Sequence, residues 1–304
     1  MITLKKNYAS LKSAAGNLYE MTDDDIAKMH EVLLKMYDDL FQYCQRHSLK
    51  LIAGGGTALG AFRHQGFIPW DDDMDLGLIR DDYRIFLRYF HSEMGGKYDL
   101  LAPGSPEGCS CFLMRVMKKN TTLLNMIDEA APYPTGIYID ITPIDYAPNG
   151  KLERLIKGTV SDILRFIAYS VYWKQYRSAS LREFMLNSEG RNYYKLRILT
   201  GSIFSFFSAE KWFLIFDRFI RGKESAFLTV AAGRRKYVGE VFPKDVFFPL
   251  KKGVFEGRTI YVYRQMHEYL ERLYGDYMKI PDVRDRERHL CLKLSFTQSR
   301  EETD

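Results

Sequence analysis

Residues 51–80 read LIAGGGTALGAFRHQGFIPWDDDMDLGLIR, and this stretch decides the fold. A short apolar run precedes three glycines, Gly54 to Gly56, and a turn of predicted helix leads from them to four aspartates placed around Met74. Glycine lets the backbone take a positive φ and come close to a ligand. The N–H groups of the following helix, which we predict to be capped by Thr57, would point at a bound anion. The order of residues therefore predicts a phosphate-binding loop.

The aspartates predict a metal site beside that loop. Asp73 and Asp75 flank Met74, and Leu76 to Ile79 continue as a buried strand. Residues two apart on a strand share a face, so both carboxylates would project about 7 Å apart on one side. Hard oxygen ligands on one edge suit Mg²⁺. Taken alone, an aspartate run is typical of a solvated loop, but the aromatic segment 67–70 just upstream favours an ordered site.

The run GGGTALGAFRHQGFIPWDDDMDLGL resembles the signature of the LicD family. These phosphocholine transferases share a nucleotidyltransferase core with the fukutin-related ribitol-phosphate transferases. The resemblance implies an α+β fold, in which a mixed β-sheet core is flanked by helices and carries an inserted basic helical region. It also implies a third carboxylate on a neighbouring strand. Asp140, in the segment GIYIDITPIDY, is similar to that residue, and Asp145 is the alternative.

Asp140 is also notable on its own pattern. It stands between Ile139 and Ile141, where burial of a lone carboxylate would cost several kcal/mol, of the order given for desolvated charges. A bound metal would remove that cost. We therefore predict Asp73, Asp75 and Asp140 as metal ligands and catalytic residues, which would hold two Mg²⁺ ions, or Mn²⁺ in their place, about 4 Å apart.

The donor phosphates are predicted to meet the glycine loop. Gly55, Gly56 and Thr57 would approach them, and Arg63 or Arg115 would balance their charge. For Arg115 a solvated surface cation is the alternative.

Aromatic side chains are candidates for the transferred group. If that group is choline, a cage of rings would hold its amine by cation–π attraction, and Trp70, Phe67 and Tyr138 are nominated for it. The C-terminal segment 274–278 (YGDYM) resembles a box of the family and is predicted to pack against the core. His289 is an alternative catalytic base.

Three regions are predicted along the chain. Residues 1–150 form a nucleotidyltransferase-like catalytic core, which includes an amphipathic helix over 23–47 that Thr22 caps. Residues 151–225 form a basic helical bundle, and residues 226–304 form C-terminal strands and a helix that pack back on the core.

The middle region carries the excess of positive charge. Residues 151–223 hold 14 Lys and Arg against six Asp and Glu. An apolar stripe with helical spacing predicts a bundle packed on the core, and the alternative is a helix pair lying on anionic lipid. The stripe consists of Leu152, Leu155, Ile156, Val160, Ile163, Leu164 and Ile167.

The composition of the chain limits the cellular compartment and the classes of binding partner that we expect. The chain has 304 residues, of which 46% are hydrophobic, and a net charge of +5. Its four cysteines match neither a zinc site nor a disulfide framework, which favours a reducing interior. Neither a signal peptide nor an apolar run of spanning length is present in the sequence, so we expect a cytoplasmic protein, with the inner face of the membrane as a further option. No nucleic-acid reader motif is recognisable, and we expect no nucleic-acid partner.

The resemblance implies a Mg-dependent phosphotransferase of the CDP-alcohol type. It would move a phospho-alcohol, phosphocholine above all, from a CDP-alcohol such as CDP-choline to a sugar hydroxyl of a cell-surface glycan or lipid-linked oligosaccharide, and release CMP. Two alternatives use similar carboxylates. A nucleotidyltransferase would keep the nucleotide on the product, and a glycosyltransferase with an Asp-x-Asp element would use a nucleotide sugar.

Overall fold

The computed structural model describes residues 18–283, 286 and 291–297, in which helices surround a mixed β-sheet. The helices are α1 (Asp23–Arg46), α2 (Gly55–Arg63), α3 (Arg80–Met94), α4 (Lys151–Gln175), α5 (Ala179–Leu186), α6 (Arg191–Ile203), α7 (Ala209–Ile220), α8 (Lys236–Gly239), α9 (Lys244–Phe247) and α10 (Met266–Tyr274). The strands are β1 (Ile52–Ala53), β2 (Asp75–Ile79), β3 (Tyr98–Leu101), β4 (Met114–Lys118), β5 (Thr122–Asn125), β6 (Tyr138–Ala147), β7 (Phe227–Thr229), β8 (Val241–Pro243), β9 (Lys251–Phe255), β10 (Arg258–Val262) and β11 (Cys291–Ser295).

Nine of these strands form one sheet, in the order β3-β4-β6-β2-β1-β10-β9, with β7 beside β6 and β8 beside β7. The pairs β2–β6 and β1–β10 are parallel, and the other pairs of this sheet are antiparallel. The predicted α+β fold with a mixed sheet flanked by helices is confirmed. Strands from the C-terminal third complete the sheet that the N-terminal half begins, and the three-region division of the chain stays a prediction.

Helix α1 lies against the sheet as its capping signal predicts. The Asp25 N–H donates to Thr22 Oγ1 over 3.1 Å, and the Asp25 carboxylate closes the capping box. Its buried tyrosines reach across the core: the Tyr37 hydroxyl donates to a carbonyl of β10 and the Tyr43 hydroxyl to a carbonyl of α3, each over 2.7 Å. These two bonds fix α1 to β10 and to α3.

Strand β6 runs through Pro143, a residue that usually ends a strand. On one side it pairs in parallel with β2 along 140–144. On its other side β4 pairs with residues 138–141 and β7 with residues 145–147, so Pro143 lies in the gap between these two partners. A missing N–H costs least where no strand needs it. Strand β6 can therefore carry Asp140 at one end and Asp145 at the other.

The basic middle region is helical, as predicted, and α4 to α7 enclose a second apolar core, in which nine of the 20 buried residues are aromatic. The expected packing of the α4 stripe on the catalytic core is wrong for its N-terminal half. Leu152, Leu155, Ile156 and Ile163 are exposed, whereas Ile167 is buried. The reason is that α6 packs on the C-terminal half of α4, where its Arg197 reaches the carbonyl of Phe166.

Candidate functional site

The glycine loop and the helix after it are joined to the start of β2 by two hydrogen bonds. Helix α2 begins at Gly55, so its N-cap is Gly54 and the prediction of Thr57 as the cap is wrong. Thr57 has another task, because its Oγ1 accepts from the Asp75 N–H over 2.8 Å. The Gly54 N–H donates to the Asp75 carbonyl over 3.0 Å. These bonds hold the loop against the aspartates.

Two of the glycines lie where a side chain would meet a carboxylate. A Cβ on Gly55 would be 2.8 Å from Asp75 Oδ2, and a Cβ on Gly56 would be 2.6 Å from Asp71 Oδ2. Gly55 also has a φ of +44°, as the glycine triplet predicts. The triplet therefore leaves room for the Asp71 and Asp75 carboxylates at the start of α2.

The aspartate run itself forms a compact cluster of oxygen atoms. One carboxylate oxygen from each of Asp71, Asp72 and Asp73 lies within 4.8 Å of the others. Strand β2 begins only at Asp75, so Asp73 precedes the strand on which the shared-face argument relied. Pairing nevertheless continues upstream, since the Asp140 N–H donates to the Met74 carbonyl over 3.3 Å.

Asp140 lies on the strand next to Asp75, as the resemblance implies. The two residues are direct partners in the parallel pairing of β2 and β6. On the other side of Asp140, Arg115 of β4 is its direct partner, and the guanidinium donates to both carboxylate oxygens over 2.9 and 3.0 Å. Asp140 is therefore already neutralised by an arginine, and its burial alone does not require a metal.

Arg115 is the centre of a larger network and is not a solvated surface cation. Its side chain is 14% exposed, and its Nη1 lies 3.7 Å from an oxygen of Asp128. The guanidinium carbon also sits 3.7 Å from the ring centroid of Tyr138. Burial raises the pKa of the Asp128 carboxyl, although Arg115 acts in the opposite direction. The Tyr172 hydroxyl of α4 donates to Asp128 over 2.6 Å, which ties the helical region to this network.

A C-terminal tyrosine, Tyr274 at the end of α10, faces the aspartates. Burial, and then the negative charges of Asp75, Asp71 and Asp73, raise the pKa of its hydroxyl. The guanidinium carbon of Arg234 lies 5.4 Å from the centroid of this ring. The loop between β7 and α8 therefore places Arg234 against the tyrosine whose hydroxyl is influenced by the aspartate charges.

Helix α10 also holds the glycine loop. The Gly55 N–H donates to the Tyr269 hydroxyl over 3.2 Å, so this N–H has a partner within the protein. In the YGDYM box, the carbonyl of Tyr277 accepts from Arg63, and the ring of Tyr277 is buried. The predicted packing of the box on the core is confirmed.

Two predicted charged residues lie away from the carboxylate cluster. Arg63 is the last residue of α2, about 12 Å along the helix axis from its first residue. Asp145 is 1% exposed and forms a buried ion pair with Arg80, which also binds Asp217 of α7. The structure thus gives Asp145 a role in joining α3, β6 and α7, and Asp140 is the residue placed beside Asp75.

The three nominated aromatic residues lie in different surroundings. Phe67 is buried and stacks on His30, with ring centroids 3.9 Å apart. Trp70 is partly buried, and the guanidinium carbon of Arg286 lies 4.1 Å from its ring centroid. Arg115 covers Tyr138 in the same way. Arginines thus occupy the cation–π positions of Trp70 and Tyr138. His289 lies outside the described residues.

Comparison with known proteins finds matches to the same stretch of the chain. A family model for LicD/FKTN/FKRP, nucleotidyltransferase domain, matches residues 48–110, which include the glycine loop and the aspartate run. The lipopolysaccharide cholinephosphotransferase LicD of Haemophilus influenzae is 29% identical over 267 residues, which cover 85% of this chain and 93% of that protein. The chain thus carries a match to the LicD-family nucleotidyltransferase domain over residues 48–110 and is similar to a LicD protein over most of its length. Two uncharacterized Rickettsia proteins match locally: that of R. typhi is 31% identical over 75 residues and that of R. prowazekii 40% over 77, each over 25% of this chain and 23% of the relative.

Sequence reasoning missed Asp71, Asp128 and Arg234. Asp71 was visible as part of the aspartate run, but its approach to Gly56 depends on how the loop folds back. Asp128 lies in a short 3₁₀ turn, and Arg234 in a loop about 160 residues from the aspartates. No motif in the sequence marks either one.

Proposed function

We propose that this protein transfers phosphocholine from CDP-choline to a sugar hydroxyl of a lipopolysaccharide or related surface glycan and releases CMP. The observation that carries the proposal is the packing of the Gly54–Gly56 loop against Asp71 and Asp75, with Asp75 paired to Asp140. Similarity to a cholinephosphotransferase along 93% of that relative supports the transferred group and the class of acceptor. The protein is, on this proposal, a phosphotransferase.

The residues of the site fit a hard divalent cation. The donors are carboxylate oxygens, three of which lie within 4.8 Å of one another, and Gly55 and Gly56 leave the space beside Asp75 and Asp71 free of a Cβ. We propose Asp73, Asp75 and Asp140 as the ligands of Mg²⁺, as the family resemblance implies, with Asp71 and Asp72 as further oxygen donors. When bound, Mg²⁺ supplies Lewis-acid stabilisation of phosphate charge.

The chain's own cations complete the charge balance around a diphosphate donor. Arg115 is held rigidly by Asp140 and Asp128, and Arg234 lies over Tyr274 beside the aspartates. Guanidinium groups suit phosphate oxygens because they donate two hydrogen bonds in one plane. We propose Arg234 as a phosphate-binding residue, and Arg115 as the residue that fixes the position of Asp140.

The acceptor glycan suggests where the reaction takes place. We propose a cytoplasmic enzyme that works at the inner face of the membrane, where lipid-linked glycans are assembled. All four cysteines are free and buried, which supports a reducing compartment. Among the described residues, no helix is long and apolar enough to cross a membrane.

The test is release of CMP from CDP-choline, CDP-ribitol, CDP-glycerol and CDP-ethanolamine, with Mg²⁺, with and without lipopolysaccharide. We expect turnover of CDP-choline that Asp73→Asn, Asp75→Asn and Asp140→Asn each reduce by at least about 100-fold, since each is proposed to act on the reacting phosphate. The matched control is Asp81→Asn, because the Asp81 side chain is 80% exposed at the start of α3.

The products separate the alternatives. Pyrophosphate in place of CMP, with a nucleoside triphosphate as donor, would assign nucleotidyl transfer. Turnover of a nucleotide sugar alone would assign a glycosyltransferase. Absence of CMP from every CDP-alcohol, together with no Mg²⁺-dependent binding of any of them, would refute the proposal.

A further inference from the structure

The outer side of α6 and the turn after it carry large apolar side chains that face solvent. Leu196, Leu199 and Ile203 are 50%, 61% and 62% exposed, and Phe206 and Phe207 are 66% and 42% exposed. The first three are spaced three and four residues apart, so they lie on one face of the helix. We call these five residues the apolar ridge. An exposed group of this kind is typical of an interaction surface.

The helix beneath the ridge adds further exposed apolar residues. Helix α6 crosses α4 closely, since a Cβ on Gly201 would lie 2.1 Å from the carbonyl oxygen of Ser170. The N-terminal half of α4 exposes Leu152, Leu155, Ile156 and Ile163, as described above. Most of the large exposed apolar residues of the described chain thus belong to one packed pair of helices and the turn that follows it.

The ridge lies in a basic segment, which is preceded by the exposed Glu189 and followed by Glu210, whose carboxylate accepts from the Tyr176 hydroxyl. The sequence from 190 to 209 contains Arg191, Lys195 and Arg197 and no Asp or Glu. Lys195 is exposed beside the ridge, whereas Arg197 turns inward and donates to Tyr193 and to the carbonyl of Phe166. An apolar face on a segment whose own charged residues are all basic is complementary to a membrane surface, which has acyl chains below and negatively charged headgroups above.

We propose that the apolar ridge docks this protein on the surface of a membrane that contains anionic lipid. The aromatic and aliphatic side chains would enter the boundary between headgroups and acyl chains, and Lys195 would meet lipid phosphates. A two-fold dimer through the same face is disfavoured, because a self-complementary interface would bring the cations of both copies together. The surface is a property of the helical region and does not depend on the proposed chemistry.

The docked helices are connected to the carboxylate network. The ridge helix packs on the same half of α4 that carries Tyr172, whose hydroxyl donates to Asp128 beside Arg115. Membrane contact at α6 would therefore hold the site at a defined height above the lipid. That arrangement suits an acceptor whose sugar is attached to a lipid.

The test is co-sedimentation of the full chain with vesicles of phosphatidylglycerol and phosphatidylethanolamine, compared with vesicles of phosphatidylcholine alone. The variant Leu199→Gln/Ile203→Gln/Phe206→Gln should lose at least about 100-fold in affinity for the anionic vesicles, because three apolar side chains no longer leave water. Lys195→Gln should lose about fivefold and weaken the dependence on salt. The control Val254→Gln/Val283→Gln changes residues that are 51% and 70% exposed outside the ridge, and should bind like the parent.

Circular dichroism and the unfolding midpoint of each variant show whether it is folded. No binding of the folded parent to anionic vesicles, or equal binding of the parent and the triple variant, would overturn the proposal. A parent dimer in sedimentation velocity that the triple variant converts to monomer, without vesicle binding, would assign the ridge to a second copy instead. None of these readouts requires turnover of a donor, so failure of the proposed reaction and failure of this surface are distinguishable.

Discussion

The glycine loop allows the effect of geometry on activity to be separated from the effect on stability. Gly55→Ala should place a Cβ 2.8 Å from Asp75 Oδ2 on a residue whose φ is +44°. A left-handed backbone costs a residue with a Cβ about 1–2 kcal/mol, which sets the expected loss of unfolding free energy. Gly56→Ala should place its Cβ 2.6 Å from Asp71 Oδ2, and no positive φ is involved. The atom it meets ends a side chain that can move, so we expect a stability change below about 0.5 kcal/mol.

Both substitutions should displace a carboxylate of the site. A misplacement of about 1 Å can cost about 100-fold in rate, so we expect CMP release from CDP-choline to fall by at least that factor in each variant. Gly257→Ala is the matched strain control, because its φ is +73° and a Cβ there would meet nothing within 4 Å. It should lose the same 1–2 kcal/mol as Gly55→Ala and keep full turnover.

The measurements are urea unfolding and CMP release on the same preparations. The reasoning would be refuted if Gly56→Ala kept the turnover of the parent, since the carboxylate beside it would then be irrelevant to the reaction. A loss of activity in Gly257→Ala equal to that in Gly55→Ala would also refute it, because strain alone would then explain both variants.

Three further outcomes are expected. Asp145→Asn removes one carboxylate of a buried ion pair and should lower the unfolding free energy in urea by about 3 kcal/mol, while the exposed Asp81→Asn should stay within about 0.5 kcal/mol. Burial raises the pKa of Glu240 from 4.5 to about 7. Between pH 4.5 and pH 7 the folded state therefore keeps a proton on Glu240 that the unfolded state loses. The unfolding free energy of the parent should fall by about 3 kcal/mol over this range relative to that of Glu240→Gln. Parallel pH profiles of unfolding free energy for the two proteins would contradict this. Arg115→Met should increase the rise in unfolding midpoint that Mg²⁺ produces, because Asp140 becomes available as a ligand; equal rises in parent and variant would argue against Asp140 as a ligand.

Local signals predicted the elements that depend on neighbouring residues. Helix α1 begins at Asp23 after Thr22, because its capping box is complete within four residues of sequence. The positive φ of Gly55 is confirmed for the same reason: only glycine takes that backbone without cost. The prediction of Thr57 as the cap of α2 was wrong. A threonine that follows glycines resembles a helix cap, but the Thr57 hydroxyl oxygen instead accepts from the Asp75 N–H of β2.

Contacts between segments that are far apart in the sequence could not be predicted in the same way. The stripe on α4 has one period throughout, yet α6 covers only its C-terminal half, and nothing in the stripe itself marks where the cover ends. Likewise Arg234 reaches the ring of Tyr274 only because the β7–α8 loop and the end of α10 meet. Periodicity tells which residues share a face, and contacts between distant segments decide whether that face is buried.

Asp140 shows how the two kinds of information combine. Its position between two isoleucines correctly indicated a buried strand, and the cost of a lone carboxylate there was a sound argument that it must have a partner. The sequence could not show that Arg115, 25 residues earlier, is the residue directly across the ladder. Because Arg115 pairs with Asp140, the burial of Asp140 is no longer evidence for a metal. The stronger evidence is the register of β2 and β6: Asp140 lies beside Asp75 on parallel strands, at the edge where the glycine loop and the aspartate cluster meet. A cation that binds this cluster would add positive charge next to Arg115, so the arginine and the metal compete for the same carboxylate. Substitution of Arg115 should therefore change the Mg²⁺ affinity of the site more than substitution of a Lys or Arg whose charge contacts only solvent.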